Sequence, residues 1–173
     1  MAGIAFRRLA VEDMQQLYLW LTRPHVAKWY SPAPSSFAEM VAKYAPRTDE
    51  GHVVKSYIVN VDRADCGYIQ TYPVAAFDDY ARALQCAEGA ASVDLFIADA
   101  WRLDRGLGTS LVRQFVDEVV FGTNHASECV ASPAEGNLAS IRAFEKAGFT
   151  RWKVIRMEGS EAECVMRRPG PAP

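Results

Sequence analysis

A short segment in the middle of the chain, Arg105-Gly106-Leu107-Gly108-Thr109, has residues that suit phosphate binding. Two glycines spaced by two let the backbone approach a ligand, and the following helix offers unpaired N–H groups at the positive end of its dipole. Arg105 and Arg102 would add positive charge for the pyrophosphate of a nucleotide cofactor. The segment fits neither GxGxxG nor GxxxxGK[ST], and taken alone it is equally compatible with an ordinary turn.

An acidic residue, Asp94, interrupts an apolar segment from Ser92 to Ala98, shortly before this glycine loop. A carboxylate in such a position is a candidate general base or cation-binding group. The alternative is a solvent-facing position on an alternating strand whose neighbours, Val93 and Leu95, are apolar.

The region around Asp94 is rich in acids, since Pro73–Asp99 contains five of them against the single base Arg82. Such an excess attracts cationic ligands and can orient several ammonium groups at once. For each acid taken alone, a solvated loop is the commoner case. Asp78 and Asp79 are the candidates that accompany Asp94.

Aromatic residues that could form a wall against a sugar ring or an aliphatic amine are Trp29, Tyr30, Tyr68, Tyr72 and Tyr80. Aromatic side chains at helix or strand spacing belong to the core by default, so each could serve packing instead. His25 follows a proline in a loop and could act as a base, but a packing or capping histidine is the commoner case.

The elements that position these residues follow from hydrophobic period and turn residues. An i, i+3, i+4, i+7 stripe predicts a helix from Met14 to Leu21, which ends near Arg23-Pro24. A strand, the glycine loop and a long apolar helix form one unit, and Asn137 caps the next helix. The remaining segments are a strand at 4–9, a helix at 37–44, a hairpin at 56–72, an irregular stretch at 73–91, strands at 128–131, 151–157 and 161–166, and a frayed tail at 169–173.

The composition favours one globular domain, at residues 1–168, because half of the 173 residues are apolar and 23% are charged. A net charge of −2 argues against a nucleic acid partner. No apolar run approaches the roughly 18 to 20 residues of a membrane span, and the start lacks a secretory signal, so we expect a cytoplasmic protein. The four cysteines and three histidines form no CxxC or HExxH motif, so we expect no metal.

The glycine loop, its flanking strand and helix, and the block Asn137–Phe149 together resemble the GNAT superfamily of N-acetyltransferases. Arg23-Pro24-His25-Val26 and Gly67–Tyr72 are similar to its aminoglycoside 6'-N-acetyltransferase branch, and siderophore-lysine acyltransferases share the Arg-Pro-His segment. The resemblance implies an α/β fold, with a splayed mixed sheet of about seven strands flanked by about four helices. It also implies acetyl-coenzyme A as co-substrate.

In this family the pantetheine arm lies along the strand that here carries Asp94, and the pyrophosphate lies on the glycine loop. The resemblance therefore implies that the Asp94 carboxylate lies beside the thioester, either as the base that takes a proton from the attacking amine or as the anchor of its ammonium form, since free alkyl amines are protonated at neutral pH. The cofactor-binding residues implied by the resemblance are Leu95, Phe96, Ile97, Arg102, Arg105, Gly106, Leu107, Gly108, Thr109, Asn137, Ser140 and Phe144. The residues expected to contact the acceptor are Trp29, Tyr72, Asp78, Asp79, Tyr80, Asp94 and Ser132.

Two positions depart from the family's pattern. Phe144 stands where many members have a tyrosine proposed to protonate the leaving thiolate, so a water or the substrate's own ammonium would serve instead. Ser132 stands where the aminoglycoside enzyme most like this chain has an aspartate that contacts the drug.

The expected activity is acetyl transfer from acetyl-coenzyme A to a primary amine by direct attack in a ternary complex. The acid-rich region favours the 6'-amine of an aminoglycoside-type antibiotic, whereas Ser132 favours a lysine or siderophore side-chain amine. Phe144 leaves open a non-catalytic module that binds coenzyme A. A monomer and a homodimer both fit the sequence.

Overall fold

The computed structural model describes residues 3–30 and 32–171, in which seven strands form one mixed sheet in the order β1-β2-β3-β4-β5-β7-β6. β4 and β5 pair in parallel, whereas the β1–β2, β5–β7 and β6–β7 pairs are antiparallel. The predicted seven-stranded α/β sheet is confirmed. The strands are β1 (Ile4–Arg8), β2 (Lys55–Val61), β3 (Ala64–Pro73), β4 (Ala90–Ile97), β5 (Glu128–Ala131), β6 (Thr150–Arg156) and β7 (Ala162–Pro169).

Six α-helices accompany the sheet in the described residues, two more than the sequence suggested. None of them is long and apolar enough to span a membrane. The helices are α1 (Met14–Leu21), α2 (Pro24–Ala27), α3 (Phe37–Tyr44), α4 (Asp78–Leu84), α5 (Leu107–Phe115) and α6 (Leu138–Lys146).

The two additional helices, α2 and α4, have local physical reasons. α1 ends just before Arg23-Pro24 as predicted, and Pro24 then occupies the first turn of α2, where the missing proline N–H is not needed. In α4, Asp78 and Asp79 lie in the first turn, where carboxylates interact favourably with the helix dipole. The stretch predicted as irregular therefore contains a helix.

The chain divides into two compact units, of which the first comprises residues up to Gln70 together with Leu95–Leu103. Its centre is the fully buried ring of Tyr68, which stacks on Phe96 with ring centroids 5.7 Å apart. At Gly67 an added Cβ would lie 2.5 Å from the carbonyl oxygen of Phe96. The buried apolar cluster contains Leu9, Met14, Leu17, Trp20, Leu21, Val26, Met40, Tyr44, Ile58, Tyr68, Phe96 and Ala98.

The second unit comprises Thr71–Asp94 and the chain from Asp104 onward. α5 continues into a π-helical segment, Val116–Thr123, where the N–H of Asn124 donates to the carbonyl of Val119. One buried cluster joins α4 to one face of the strands through Val74, Leu84, Ala90, Val130, Ile155 and Val165.

The end of the chain is paired further than expected. Pro169 lies opposite Glu128 in the β5–β7 ladder, and the N–H of Gly170 donates to the carbonyl of Ser127 at 2.9 Å. Regular structure therefore extends into the segment predicted as a frayed tail, because Pro169 of β7 pairs with the first residue of β5. The last two residues of that tail, Ala172 and Pro173, lie outside the described residues.

Candidate active site

The second unit surrounds Asp94 with hydroxyl groups. Asp94 is half-buried near the end of β4, and the Tyr72 side chain on β3 forms hydrogen bonds with Asp94 and Ser92. Burial, followed by the negative charge of Asp94, raises the pKa of Tyr72 far above its usual value. The Tyr72 hydroxyl therefore stays protonated and donates to the carboxylate.

Tyr80 brings α4 onto the same group of residues. Its hydroxyl lies 2.8 Å from the Ser132 hydroxyl and 3.3 Å from the Ser92 hydroxyl. Burial and the charge of Asp94 raise the pKa of Tyr80 above its usual range, so it also remains protonated. Of the predicted acceptor residues, Tyr72, Tyr80, Asp94 and Ser132 thus belong to one connected polar cluster.

A second carboxylate, Glu163 on β7, belongs to this cluster and was missed by sequence reasoning. It is half-buried, and its pKa is raised by burial and by the negative charge of Asp94. Its charge also acts on Tyr80. The only sequence signal was an acid between two apolar residues of the terminal strand, Ala162 and Cys164, much as Asp94 lies between two apolar residues.

The other acids of the 73–99 region do not join this cluster. Asp78 and Asp79 lie exposed on α4, and Asp79 forms an ion pair with Arg82. Asp99, in the first unit, pairs with two arginines, Arg23 at 3.1 Å and Arg102 at 3.3 Å. The acidic excess seen in the sequence is therefore distributed over separate ion pairs and exposed positions.

The glycine loop leads directly into α5. Gly106 has φ +78°, a left-handed conformation that favours glycine, and beyond its two chain neighbours no residue has an atom within 4 Å of where its Cβ would stand. Among the described residues no side chain caps the helix start behind it. Arg105 and Gly106 are exposed, while Leu107, Gly108 and Thr109 are half-buried. Arg102, of the first unit, is held by Asp99 and lies over the Trp101 ring.

Asn137 caps α6 as predicted, because its Oδ1 accepts the N–H of Ser140 at 3.2 Å. Ser140 is half-buried. Phe144 is only 3% exposed and packs edge-on against Phe149, with ring centroids 5.1 Å apart. Packing alone therefore accounts for an aromatic side chain without a hydroxyl at this position.

The remaining predicted residues lie in the first unit. Of the β4 residues after Asp94, Phe96 is buried, while Leu95 and Ile97 are half-buried. Trp29 is 38% exposed, with the Lys28 ammonium 4.6 Å from the centre of its ring. His25 Nε2 lies 3.2 Å from the carbonyl oxygen of Ile97, within hydrogen-bond distance.

An α/β sheet, a helix that begins at an open glycine loop and a half-buried carboxylate with tyrosine partners suit an enzyme that binds a phosphate-containing cofactor and moves a proton. The chain belongs to the GNAT acetyltransferase family, because residues 10–157 match the Acetyltransferase (GNAT) domain. It is therefore an acetyl-coenzyme-A-dependent N-acetyltransferase, and the resemblance noted in the sequence is confirmed.

Relatives and solved structures are similar over most of the chain. The aminoglycoside N(6')-acetyltransferase type 1 of Klebsiella pneumoniae is 31% identical over 151 residues, which span 86% of this chain and 75% of the relative. The crystal structure of the aminoglycoside acetyltransferase AAC(6')-Ib with coenzyme A has a TM-score of 0.86 at 28% identity, and the match covers 96% of this chain and 95% of that one. A complex of AAC(6')-Ib with coenzyme A and kanamycin gives a TM-score of 0.85 at the same identity and coverage.

Proposed function

We propose that this enzyme acetylates the 6'-amine of an aminoglycoside-type antibiotic, by direct transfer from acetyl-coenzyme A within a ternary complex. The observation that carries the proposal is the half-buried Asp94, hydrogen-bonded to Tyr72 and close enough to Glu163 to raise its pKa. Neighbouring carboxylates complement an acceptor with several ammonium groups. The similar enzymes that act on aminoglycosides or bind kanamycin support this choice of acceptor.

In this proposal Asp94 first holds the ammonium form of the acceptor amine. Its carboxylate then takes a proton, directly or through a water, as the nitrogen attacks the acetyl carbon. The Tyr72 hydroxyl donates to the carboxylate and fixes its orientation. A carboxylate held in this way suits a base that must act on one defined amine.

The glycine loop suits the pyrophosphate of coenzyme A, since Gly106 leaves open space and α5 begins directly behind it. Arg105 is exposed at its mouth and would add charge. Bound acetyl-coenzyme A supplies the thioester whose C–S bond breaks as the new C–N bond forms. Phe144 has no proton to donate, so water or the acceptor's ammonium protonates the departing sulfur.

The state of the cysteines supports direct transfer rather than an acyl-enzyme. Burial raises the pKa of the Cys66 thiol to about 11 and raises that of Cys129 further. The pKa values of Cys86 and Cys164 are also raised, with burial as the largest cause. The thiolate is the nucleophilic form of cysteine, and raised pKa values keep these thiols protonated at neutral pH.

Thiol release from acetyl-coenzyme A tests the acceptor. The purified protein is assayed with kanamycin, tobramycin, lysine, N6-hydroxylysine and a peptide N-terminus. We expect fast release with the two aminoglycosides. Release only with lysine or N6-hydroxylysine would reject the aminoglycoside as acceptor. It would favour a lysine or siderophore side-chain amine, the alternative suggested by the serine at position 132.

Asp94→Asn tests the base. We expect kcat/KM to fall by about 10²- to 10⁴-fold, the usual contribution of a general base. The matched control is Asp62→Asn, because Asp62 accepts the Gly3 N–H in the first unit and has φ +53°, which asparagine tolerates. Equal rates for both variants would exclude Asp94 from the reaction.

A further inference from the structure

The register of the sheet puts Glu163 and Asp94 on the same face. Ser92 lies opposite Val130 in the β4–β5 pair, and Val130 lies opposite Arg167 in the β5–β7 pair. Cross-strand partners share a face and side chains alternate along each strand. Asp94, two residues after Ser92, and Glu163, four residues before Arg167, therefore point to the same side.

That side is the one covered by α4. The apolar cluster that contains Leu84 of α4 also contains Ala90, Val130 and Val165 from the three strands. An isolated bridge between Ala134 and Glu163 continues the β5–β7 register past the end of β5. Glu163 is thereby fixed by backbone pairing next to the segment that carries Ser132.

The charges around Glu163 favour the binding of a cation. Both causes of its raised pKa, burial and the charge of Asp94, disfavour the ionised carboxylate. Lys153 lies on the same face, opposite Val165, but its ammonium donates to the carbonyl of Ala83 at 2.8 Å. A bound ammonium group would offset the repulsion between the two carboxylates.

We propose that Glu163 is a specificity-determining residue that binds a second ammonium group of the acceptor while the amine to be acetylated lies at Asp94. This inference rests on the proposed function. A site with two neighbouring carboxylates selects polyamines over monoamines, because only an acceptor with two cations neutralises both.

The test compares Glu163→Gln with the wild type on two acceptors. Kanamycin A carries several amines, whereas methyl 6-amino-6-deoxyglucoside presents the same aminosugar ring with one. We expect the KM for kanamycin A to rise about 10- to 100-fold, as for a lost charged hydrogen bond, with kcat almost unchanged. The kcat/KM for the aminoglucoside should change by less than about threefold.

The matched control is Glu118→Gln, an exposed glutamate on the π-helical segment. It makes the same change in charge and should leave the KM and kcat for both acceptors unchanged. Calorimetric titration with kanamycin A and coenzyme A gives the same comparison as a Kd if the aminoglucoside is turned over too slowly. Thermal unfolding of both variants confirms that they are folded.

Each outcome separates this inference from the proposed function. No turnover of kanamycin A by the wild type would reject the proposed function itself. Wild-type turnover with an unchanged KM and Kd in Glu163→Gln would reject the role of Glu163 alone. A fall in kcat with both acceptors would also overturn it, because Glu163 would then act on the reacting amine.

Discussion

Replacing Tyr68 by phenylalanine removes one hydroxyl from the centre of a buried polar network in the first unit. The Tyr68 oxygen lies 2.7 Å from the Ser56 hydroxyl, 2.8 Å from Gln70 Oε1 and 3.3 Å from the Arg47 guanidinium. Ser56 and Tyr68 are fully buried and Gln70 is 8% exposed. The ring itself, with its stacking on Phe96, is kept in the variant.

The expected loss follows from these three contacts. A neutral buried hydrogen bond contributes about 1 kcal/mol and one to a charged group about 1.5 to 3 kcal/mol. With the long Arg47 contact weighted low, the free energy of unfolding should fall by about 2 to 4 kcal/mol. For a chain of this length that lowers Tm by about 5 to 15 °C.

Urea titration followed by circular dichroism and a thermal scan measure this difference. Tyr18→Phe is the control, because Tyr18 is half-exposed on α1 and its ring packs edge-on against Phe37. It should change stability by less than about 0.5 kcal/mol. Equal stabilities of the two variants would refute a stabilising role for the Tyr68 network.

Three further predictions concern the second unit. Asn137→Ala removes the α6 cap and should cost about 1 kcal/mol, or about 2 to 4 °C in a thermal scan; an unchanged Tm would contradict the capping role. Gly106→Ala places an alanine in the left-handed backbone conformation, at a cost of about 1 to 2 kcal/mol, and should raise the KM for acetyl-coenzyme A. The control is Gly159→Ala, at φ +75° with similar open space, which should leave that KM unchanged. The pKa of Glu163 is raised in the folded state, so the stability that Glu163 contributes falls as the pH rises above 4.5, the ordinary pKa of a glutamate. The Tm of Glu163→Gln should therefore rise relative to that of the wild type between acidic and neutral pH. A Tm difference that stays constant in scans across pH would contradict this.

Local patterns predicted the parts of the fold that depend on neighbouring residues. The apolar stripe of α1, the hairpin of β2 and β3, the Gly106 turn and the Asn137 cap all follow from a few consecutive side chains. α4 could not be predicted in this way, because its seven residues are too few to show a period. Contacts made only in the folded chain, such as that of Tyr80 with Ser132, hold it on the sheet.

The candidate site also has parts that local sequence predicts and parts that depend on the folded chain. Asp94 could be found because an acid in an apolar strand is unusual, and the loop before α5 because its two glycines are only two positions apart in the chain. The partnership of Asp94 with Glu163 depends on the β5–β7 register, which a shift of one residue would reverse. Spacing along the chain gives no measure of that register, so the second carboxylate became visible only in the folded structure.

Gly67 limits which sequences this fold can accept. A Cβ at this position would overlap the carbonyl oxygen of Phe96, which is backbone and cannot rotate away. In a saturation library under selection for activity, every other residue at position 67 should therefore be depleted. At Gly3, where the nearest atom to an added Cβ is the Asp62 carboxylate at 3.7 Å, substitutions should persist. At position 67, sequence change is thus limited by the short distance between two backbone segments rather than by side-chain chemistry.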